Sequence, residues 1–292
     1  MVVVSSGLSD GMLIFLMASG LTLVLGVMRV VNFAHGGFFM VGAYFGYALM
    51  GGRAISAVPF VLLVLVAALA TGALGLVCER LVFRRMYDLP EVTSLLGTYA
   101  LLLILEGLAE IVWGVKPRTQ PQPDSLVHTV TVAGAEIPRY EILVVVVGIA
   151  AVIGLQLLIK RTEFGRQLEA VAEDRFMAGL LGVNVSRVFA LTFALGTALA
   201  GLGGALAGPT VSMVPGIALT FILEAFAVVI VGGFGSILGS LVAALALGLL
   251  HSFLATEVPE LADFSLYLLM AAVLVVRPQG LLGSGRVSGA AA

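Results

Sequence analysis

The sequence predicts an all-α polytopic membrane protein, with about eight or nine transmembrane helices in a single domain over residues 1–292. Of these 292 residues, 60% are hydrophobic and only 11% are charged, whereas soluble domains carry roughly 25% charged residues. The apolar runs are continuous and long enough for membrane helices of about 20 residues, and they lack the alternation of membrane β-strands. Composition therefore excludes a soluble enzyme, a disordered chain and a membrane β-barrel.

Hydropathy places nine candidate spans along the chain, separated by polar breaks. The candidate spans are 11–28, 36–51, 57–78, 92–113, 141–159, 188–208, 217–233, 236–254 and 262–276. Two longer polar stretches lie between them. One is the proline-rich loop 114–140, and the other is the charged segment 160–187.

The distribution of Lys and Arg predicts the orientation of the chain. The positive-inside rule assigns basic loops to the cytoplasm. Arg29, the loop 79–91, the segment 160–187 and the C-terminal tail together hold most of the basic residues. The basic residues left for the other side are Arg53, Lys116, Arg118 and Arg139. We therefore expect a cytoplasmic C-terminus and a periplasmic loop at 114–140. The near balance of 15 basic and 17 acidic residues does not favour a nucleic acid partner.

The first polar break, RVVNFAHGG at 29–37, interrupts an apolar stretch that otherwise runs from Gly11 to Met50. Asn32 and His35 are costly in hydrocarbon unless they are paired or face a cavity, and the two glycines that follow let the backbone leave the helix. Two interpretations stay open. The segment is either a tight cytoplasmic hairpin anchored by Arg29, or a turn inside the bilayer between two parts of a discontinuous helix, beside a pathway.

A second glycine-rich break favours the discontinuous helix. It consists of Gly232, Gly233, Gly235 and Ser236, with Phe234 between them, and an apolar helix resumes directly after it. Two interrupted spans in comparable positions are typical of transporters with an internal inverted repeat. The new helix N-termini would offer free N–H groups to a carboxylate. A plain cytoplasmic turn is the alternative for this second break.

The charged segment 160–187 has the spacing of an amphipathic helix. Apolar residues recur at helical intervals, and acidic residues stand between them. The apolar positions are Phe164, Leu168, Val171, Ala172, Phe176 and Leu180, and Gly182 and Asn184 are the expected stops. Such a helix either lies on the membrane or docks on a partner protein. The acidic residues favour a protein partner over anionic lipid.

The motifs of the chain favour transport over catalysis. It has no phosphate-binding G-x-x-x-x-G-K-[ST] motif, so ATP would have to be hydrolysed by another polypeptide. The three histidines, His35, His128 and His251, are scattered, and their spacing predicts neither a metal site nor a catalytic set. A proton-driven secondary transporter that uses Glu106, Glu110 or Glu224 is the alternative.

Five blocks of the chain resemble the LivH branch of the branched-chain amino acid ABC-transporter permeases. They occur in the same order as in that family and cover nearly the whole chain. The blocks are LTLVLGVMRVVNFAHG at 21–36, AEDRFMAGLLGVN at 172–184, RVFALTF at 187–193, VGGFGSI at 231–237 and RPQGLLG at 277–283.

The resemblance implies partners and functional residues. It implies a bacterial inner-membrane protein that pairs with a second, LivM-like permease or with a copy of itself. Two cytoplasmic subunits would bind the ATP, and a periplasmic protein would deliver the substrate. The residues implied for ATPase coupling are Glu169, Glu173, Asp174, Arg175 and Gly182. Those implied for the translocation pathway are Asn32, Phe33, His35 and Gly36, to which the second break adds Gly232, Gly233, Gly235 and Ser236.

The cargo implied by the resemblance is leucine, isoleucine or valine. Urea, short amides and other amino acids stay open as alternatives. No cofactor or metal of the chain's own is expected.

Overall fold

A computed structural model describes residues 2–87, 89–132 and 135–282. The α-helices are α1 (Val2–Met28), α2 (Ala34–Met50), α3 (Ala57–Leu81), α4 (Glu91–Trp113), α5 (Arg139–Arg161), α6 (Glu163–Glu173), α7 (Arg175–Leu180), α8 (Val185–Ala207), α9 (Ile217–Gly232), α10 (Ile237–Glu257) and α11 (Ser265–Val276). Short 3-10 turns cover Phe83–Arg85, Asp124–Leu126 and Pro259–Phe264.

Nine of these helices match the nine predicted spans in order, but they are not all of spanning length. Among the described residues, seven helical segments are long and apolar enough to cross a membrane. The other two, α2 and α9, have 17 and 16 residues, fewer than the roughly 20 that a full span needs. The protein is therefore an all-α integral membrane protein with two shortened helices in its bundle.

Helix α1 forms the centre of the bundle. It is apolar on every face, as expected of a helix enclosed by others, and nearly all of its residues beyond the first two turns are buried. It packs mainly against α10 and α8. A buried hydrogen bond of 2.7 Å joins the hydroxyls of Thr22 in α1 and Ser240 in α10. By contrast, α4, α5 and α11 lie at the periphery and leave most of their apolar side chains exposed.

The bundle has two distinct ends. At the proline-rich end, the loop between α4 and α5 pairs with the loop between α8 and α9. The amide of Arg118 donates to Met213 O at 3.0 Å, and the amide of Gln120 donates to Gly208 O at 3.1 Å. Ser6 of α1 also donates to Glu141 of α5 here, at 2.8 Å.

At the opposite, charged end lie α6, α7 and the last described residues. Helix α8 begins shortly after α7 and ends at the proline-rich end. The two ends are therefore one full helix length apart. The amides of Leu281 and Leu282 donate to Val231 O and Gly232 O, the last carbonyls of α9, at 2.7 and 3.1 Å. The charged segment and the C-terminal stretch therefore share one end, as the basic residues predict.

The proline-rich loop differs in detail from the prediction. Helix α5 begins at Arg139, and the loop is therefore slightly shorter than 114–140. It also contains an antiparallel pair of short strands, β1 (Thr129–Val132) and β2 (Ala135–Pro138), in which Val130 pairs with Ile137. An all-α prediction missed this hairpin because four-residue strands leave too few positions for an alternating pattern to be recognised.

Candidate translocation and coupling site

The first break is a non-helical segment over residues 29–33 between α1 and α2. Its first residue, Arg29, has a φ of +53°, in the left-handed region that non-glycine residues seldom adopt. The chain then returns toward the middle of the bundle. In the first turn of α2, Nε2–H of His35 donates to Met17 O at 3.1 Å, and Met17 lies about three turns before the end of α1. Helix α2 therefore begins deep inside the bundle, whereas the second helix of a tight hairpin would begin at the end of the bundle.

A threonine of α4 holds this segment in place. The amide of Phe33 donates to Thr98 Oγ1 at 3.2 Å, and the same hydroxyl lies 3.2 Å from Val31 O. Thr98 is fully buried, and sequence analysis missed it. Its one signal in the sequence is a hydroxyl side chain within a predicted membrane span.

Two buried side chains in this region keep unused polar atoms. Asn32 and His35 are both 0% exposed. Among the described residues, neither Oδ1 nor Nδ2 of Asn32 has a hydrogen-bond partner, and Nδ1 of His35 has none. A buried polar group without a partner costs about 1–3 kcal/mol. The burial of these polar atoms is therefore costly in this conformation.

The other predicted residues of the first break contact α9. The ring of Phe33 lies 5.1 Å from that of Phe226, measured between centroids. A Cβ on Gly36 would come within 2.2 Å of Ala218 O, so only glycine permits this approach of α2 to α9. The two shortened helices are thus in direct contact, and a stacked pair of Phe39 and Phe221 extends it.

The second break is a tight turn between antiparallel neighbours, α9 and α10. Gly233 and Gly235 have φ values of +98° and +77°, which explains the need for glycine at both. Ser236 caps α10, and its Oγ accepts from the amide of Gly239 at 3.0 Å. Gly232 is packed against Gly239, with no room for a Cβ. The local geometry of the second break is therefore that of a plain turn, the alternative interpretation of this segment.

The structure brings the two breaks to the same end of the bundle. Gly26, in the last turn of α1, packs against Gly235 of the second break. Arg29, at the start of the first break, is three residues further along the chain. Both breaks therefore lie at the charged end. The internal inverted repeat stays a prediction.

The charged segment forms two helices, where the sequence spacing predicted one. Asp174 ends α6 and caps α7, because its Oδ1 accepts from the amides of Phe176 and Met177 at 2.8 and 3.0 Å. The prediction of a continuous apolar face was therefore wrong: Leu168 and Val171 of α6 are buried, whereas Phe176 and Leu180 of α7 are about 70% exposed. An aspartate in the middle of a helical pattern is a strong N-cap, and this signal was available.

The predicted coupling residues all lie on the surface. Glu169, Glu173, Asp174, Arg175 and Gly182 are exposed. Gly182 has a φ of +88° and follows the end of α7, away from the others. Glu173, Asp174 and Arg175 line a cavity of about 670 Å³ whose opposite wall includes Arg29 and Val31. The guanidinium of Arg29 also donates to Ala172 O at 3.3 Å. The first break and the charged segment therefore touch.

The predicted acidic residues of the spans have separate environments. Glu106 is half-buried and Glu110 is exposed, both on the peripheral helix α4. Glu224 of α9 faces a second cavity at the proline-rich end, together with Asp10 of α1.

These features define a polytopic membrane permease, with two shortened inner helices and an exposed charged segment at one end of its bundle. The chain belongs to the family described as branched-chain amino acid transport system / permease component, whose model matches residues 3–274. It is a transport subunit of this family and not a catalytic enzyme.

Several relatives match almost the full chain. The permease protein BraD of Pseudomonas aeruginosa, from a high-affinity branched-chain amino acid transport system, is 32% identical over 97% of this chain and 95% of its own length. LivH of Escherichia coli K12 is 31% identical over the same shares. LivM of Salmonella typhimurium is 27% identical over 93% of this chain and 68% of its own length. No solved structure matches the chain.

Proposed function

We propose that this chain is the pathway-forming permease subunit of an ABC importer for branched-chain amino acids. The contact between Arg29 and the charged segment carries the proposal, because it gives a docked partner a direct mechanical link to the first break. The cargo is proposed from the relatives BraD and LivH, which are described as permeases of branched-chain amino acid transport systems. Urea, short amides or other amino acids are the alternative cargo.

The proposed assembly contains two permease subunits and two cytoplasmic subunits that bind and hydrolyse ATP. The second permease is LivM-like or a copy of this chain, and the similarity to LivM supports a related partner. A periplasmic binding protein delivers the substrate. The exposed apolar residues of α7, Phe176 and Leu180, with Glu173 beside them, suit a groove on the ATPase surface.

The proposed location is the bacterial inner membrane, with the charged end and the C-terminus in the cytoplasm. The basic residues Arg80, Arg84, Arg161, Arg187 and Arg277 belong to segments at this end, and the positive-inside rule places such an end inside.

In the proposed mechanism, the motion of the ATPases on nucleotide binding is transmitted through the docked segment. Closure of the ATPases displaces α6 and α7, and Arg29 carries that displacement to the non-helical segment 29–33. The movement frees the unused polar atoms of Asn32 and His35 to meet water or substrate, which offsets the cost of their burial. The residues proposed to border the pathway are Asn32, Phe33, His35, Gly36, Gly232, Gly233, Gly235 and Ser236.

The deciding experiment substitutes Glu173 by lysine. Charge reversal on the exposed face of α6 should weaken ATPase docking while leaving membrane insertion intact, and the ATPase should be lost from the purified complex. Glu260→Lys is the matched control, because Glu260 is also exposed but lies at the proline-rich end. Unchanged co-purification of the ATPase with the Glu173→Lys variant would contradict the coupling assignment.

A second experiment separates this proposal from a proton-driven transporter. The purified chain in liposomes, with a pH gradient and no ATPase, should not accumulate leucine. Accumulation under those conditions would replace the proposed function by secondary transport.

A further inference from the structure

The second cavity lies at the proline-rich end, away from both breaks. It has a volume of about 520 Å³ and is lined by α1, α9, α10, the 3-10 turn that leads into α11 and the start of α11. Thr210 and Val211 form part of its wall, and they belong to the loop that pairs with the proline-rich loop. The volume is within the range of small-molecule sites, about 300–1,000 Å³.

Three acidic side chains line the cavity. Asp10, Glu224 and Asp263 come from three different elements, and no lysine or arginine is among the described lining residues. Among the part of the chain that the structure describes, the carboxyl groups of Asp10 and Glu224 neither accept a hydrogen bond nor form an ion pair. The one imidazole present, His251, directs Nδ1 toward Ala262 O and Ser265 Oγ, each at 3.3 Å.

Much of the remaining wall is aliphatic or aromatic. Leu13 and Ile14 of α1, Phe221 of α9 and Leu266 of α11 line it. Thr220 and Tyr267 also line the cavity, and each carries a hydroxyl that can donate a hydrogen bond. The site thus combines a carboxylate pair, a few hydroxyl donors and an apolar surface.

This combination matches a ligand with three parts. Carboxylates in an apolar bundle are costly unless a cation pairs with them, so the ligand carries an ammonium group. The hydroxyl donors suit a carboxylate group of the ligand, and the apolar lining residues suit a short aliphatic chain. A bare metal ion fits less well, because no three His, Cys, Asp or Glu side chains within the described ranges converge closely enough to hold one.

We propose that this cavity binds an aliphatic amino acid, with its ammonium group at Asp10 and Glu224, before it reaches the first break. The inference rests on the proposed import function and adds a site to it. It also selects among the possible cargoes, because a neutral molecule such as urea or an amide can donate hydrogen bonds to the two carboxyl groups but brings no positive charge to them.

The test measures binding of tritiated leucine to the full chain in lipid nanodiscs, with four competitors. Unlabelled leucine has both charged groups, 3-methylbutylamine lacks the carboxylate, 4-methylpentanoate lacks the ammonium group, and 3-methylbutanamide is neutral. We expect leucine and the amine to compete, and the other two to be at least about tenfold weaker, because a hydrogen bond to a charged group is lost.

Variants then assign the site. Glu224→Gln and Asp10→Asn should each weaken leucine binding by about tenfold, and Glu224→Asp should retain most of it. Glu260→Gln is the control, since Glu260 is acidic and lies three residues before the lining residue Asp263 but does not itself line the cavity. Retained binding by Glu224→Asp shows that a loss in Glu224→Gln is not a failure to fold.

The outcomes separate the two proposals. Equal competition by 4-methylpentanoate or the amide, unchanged binding by Glu224→Gln, or no saturable leucine binding would overturn the cavity assignment. Uptake of leucine by the wild-type complex in the presence of ATP is measured in parallel. If the complex transports leucine while the competition fails, only the cavity assignment is wrong; if the complex transports no branched-chain amino acid, the proposed function is wrong.

Discussion

Arg29 donates a hydrogen bond of 3.3 Å to the carbonyl oxygen of Ala172, in the last turn of α6. The final carbonyls of a helix have no partner within it, and a cation there is favourable for the helix dipole. Arg29 also holds a left-handed backbone conformation at the start of the first break. The side chain of Arg29 therefore caps α6, and its backbone conformation marks the point at which α1 ends.

Substitution of Arg29 by alanine should uncouple the charged segment from the first break. We expect uptake by the complex to fall roughly five- to thirtyfold, as the loss of a ~1–2 kcal/mol hydrogen bond implies, while the ATPase stays bound. The measurement is transport per mole of complex, together with ATPase co-purification. Arg80→Ala is the control, because Arg80 is also exposed near the charged end but forms no hydrogen bond in the described structure. Equal losses in both variants would argue against a specific role for Arg29.

Substitution of His35 by leucine should reduce uptake about tenfold without loss of assembly. The change removes the bond to Met17 O and the unused Nδ1 of a fully buried side chain, and a lost buried hydrogen bond is worth ~1–1.5 kcal/mol. Uptake and the amount of purified complex are measured together. His128→Leu, in the exposed proline-rich loop, should behave like the wild type. Normal transport by His35→Leu would return the first break to a purely structural role.

Substitution of Gly36 by alanine should destabilise the protein by about 1–3 kcal/mol, because overpacking forces two helix backbones apart. The added Cβ would lie 2.2 Å from Ala218 O. The midpoint of thermal unfolding in detergent should fall. Gly107→Ala is the matched control, since a Cβ there has no neighbour within 4 Å, and alanine is the better helix former. A Gly36→Ala variant as stable as Gly107→Ala would mean that α2 and α9 can separate freely.

Substitution of Tyr87 by phenylalanine should cost about 1–3 kcal/mol, because it leaves the buried Glu79 carboxyl without its donor. Tyr87 donates to Glu79 at 2.6 Å, and burial together with this bond raises the pKa of Tyr87, so the hydroxyl keeps its proton. Tyr99→Phe is the control, because its ring is 40% exposed. A double-mutant cycle with Glu79→Ala, which removes the acceptor, measures the pair, and additive losses would contradict a direct interaction.

Much of the fold could be predicted from hydropathy, because each helix must satisfy its backbone and its lipid contacts by itself. The breaks at 29–37 and 232–236 were visible for the same reason: asparagine, histidine and clustered glycines do not continue an apolar helix. The split at Asp174 was missed, although its capping preference was present in the sequence, because the apolar spacing continues through it.

Contacts between distant parts of the chain could not be predicted. The bond from Arg29 to Ala172 and the hydroxyl of Thr98 beneath the first break depend on how α1, α4 and α6 pack. The cavity is a sharper case, because Asp10, Glu224 and His251 are far apart in the sequence. Each was visible as a polar residue in an apolar span, but no pattern joined them.

The sequence alone determined that this protein lies in a membrane, where its helices are interrupted, and which segments carry its charge, because these properties belong to short stretches of chain and to their cost of transfer from water. Only the tertiary structure decided that α2 starts deep in the bundle, that the second interruption is a turn between neighbours, and that two carboxyl groups share one cavity. Those features arise from the packing of helices that are distant in sequence, and packing is set by the mutual fit of their surfaces.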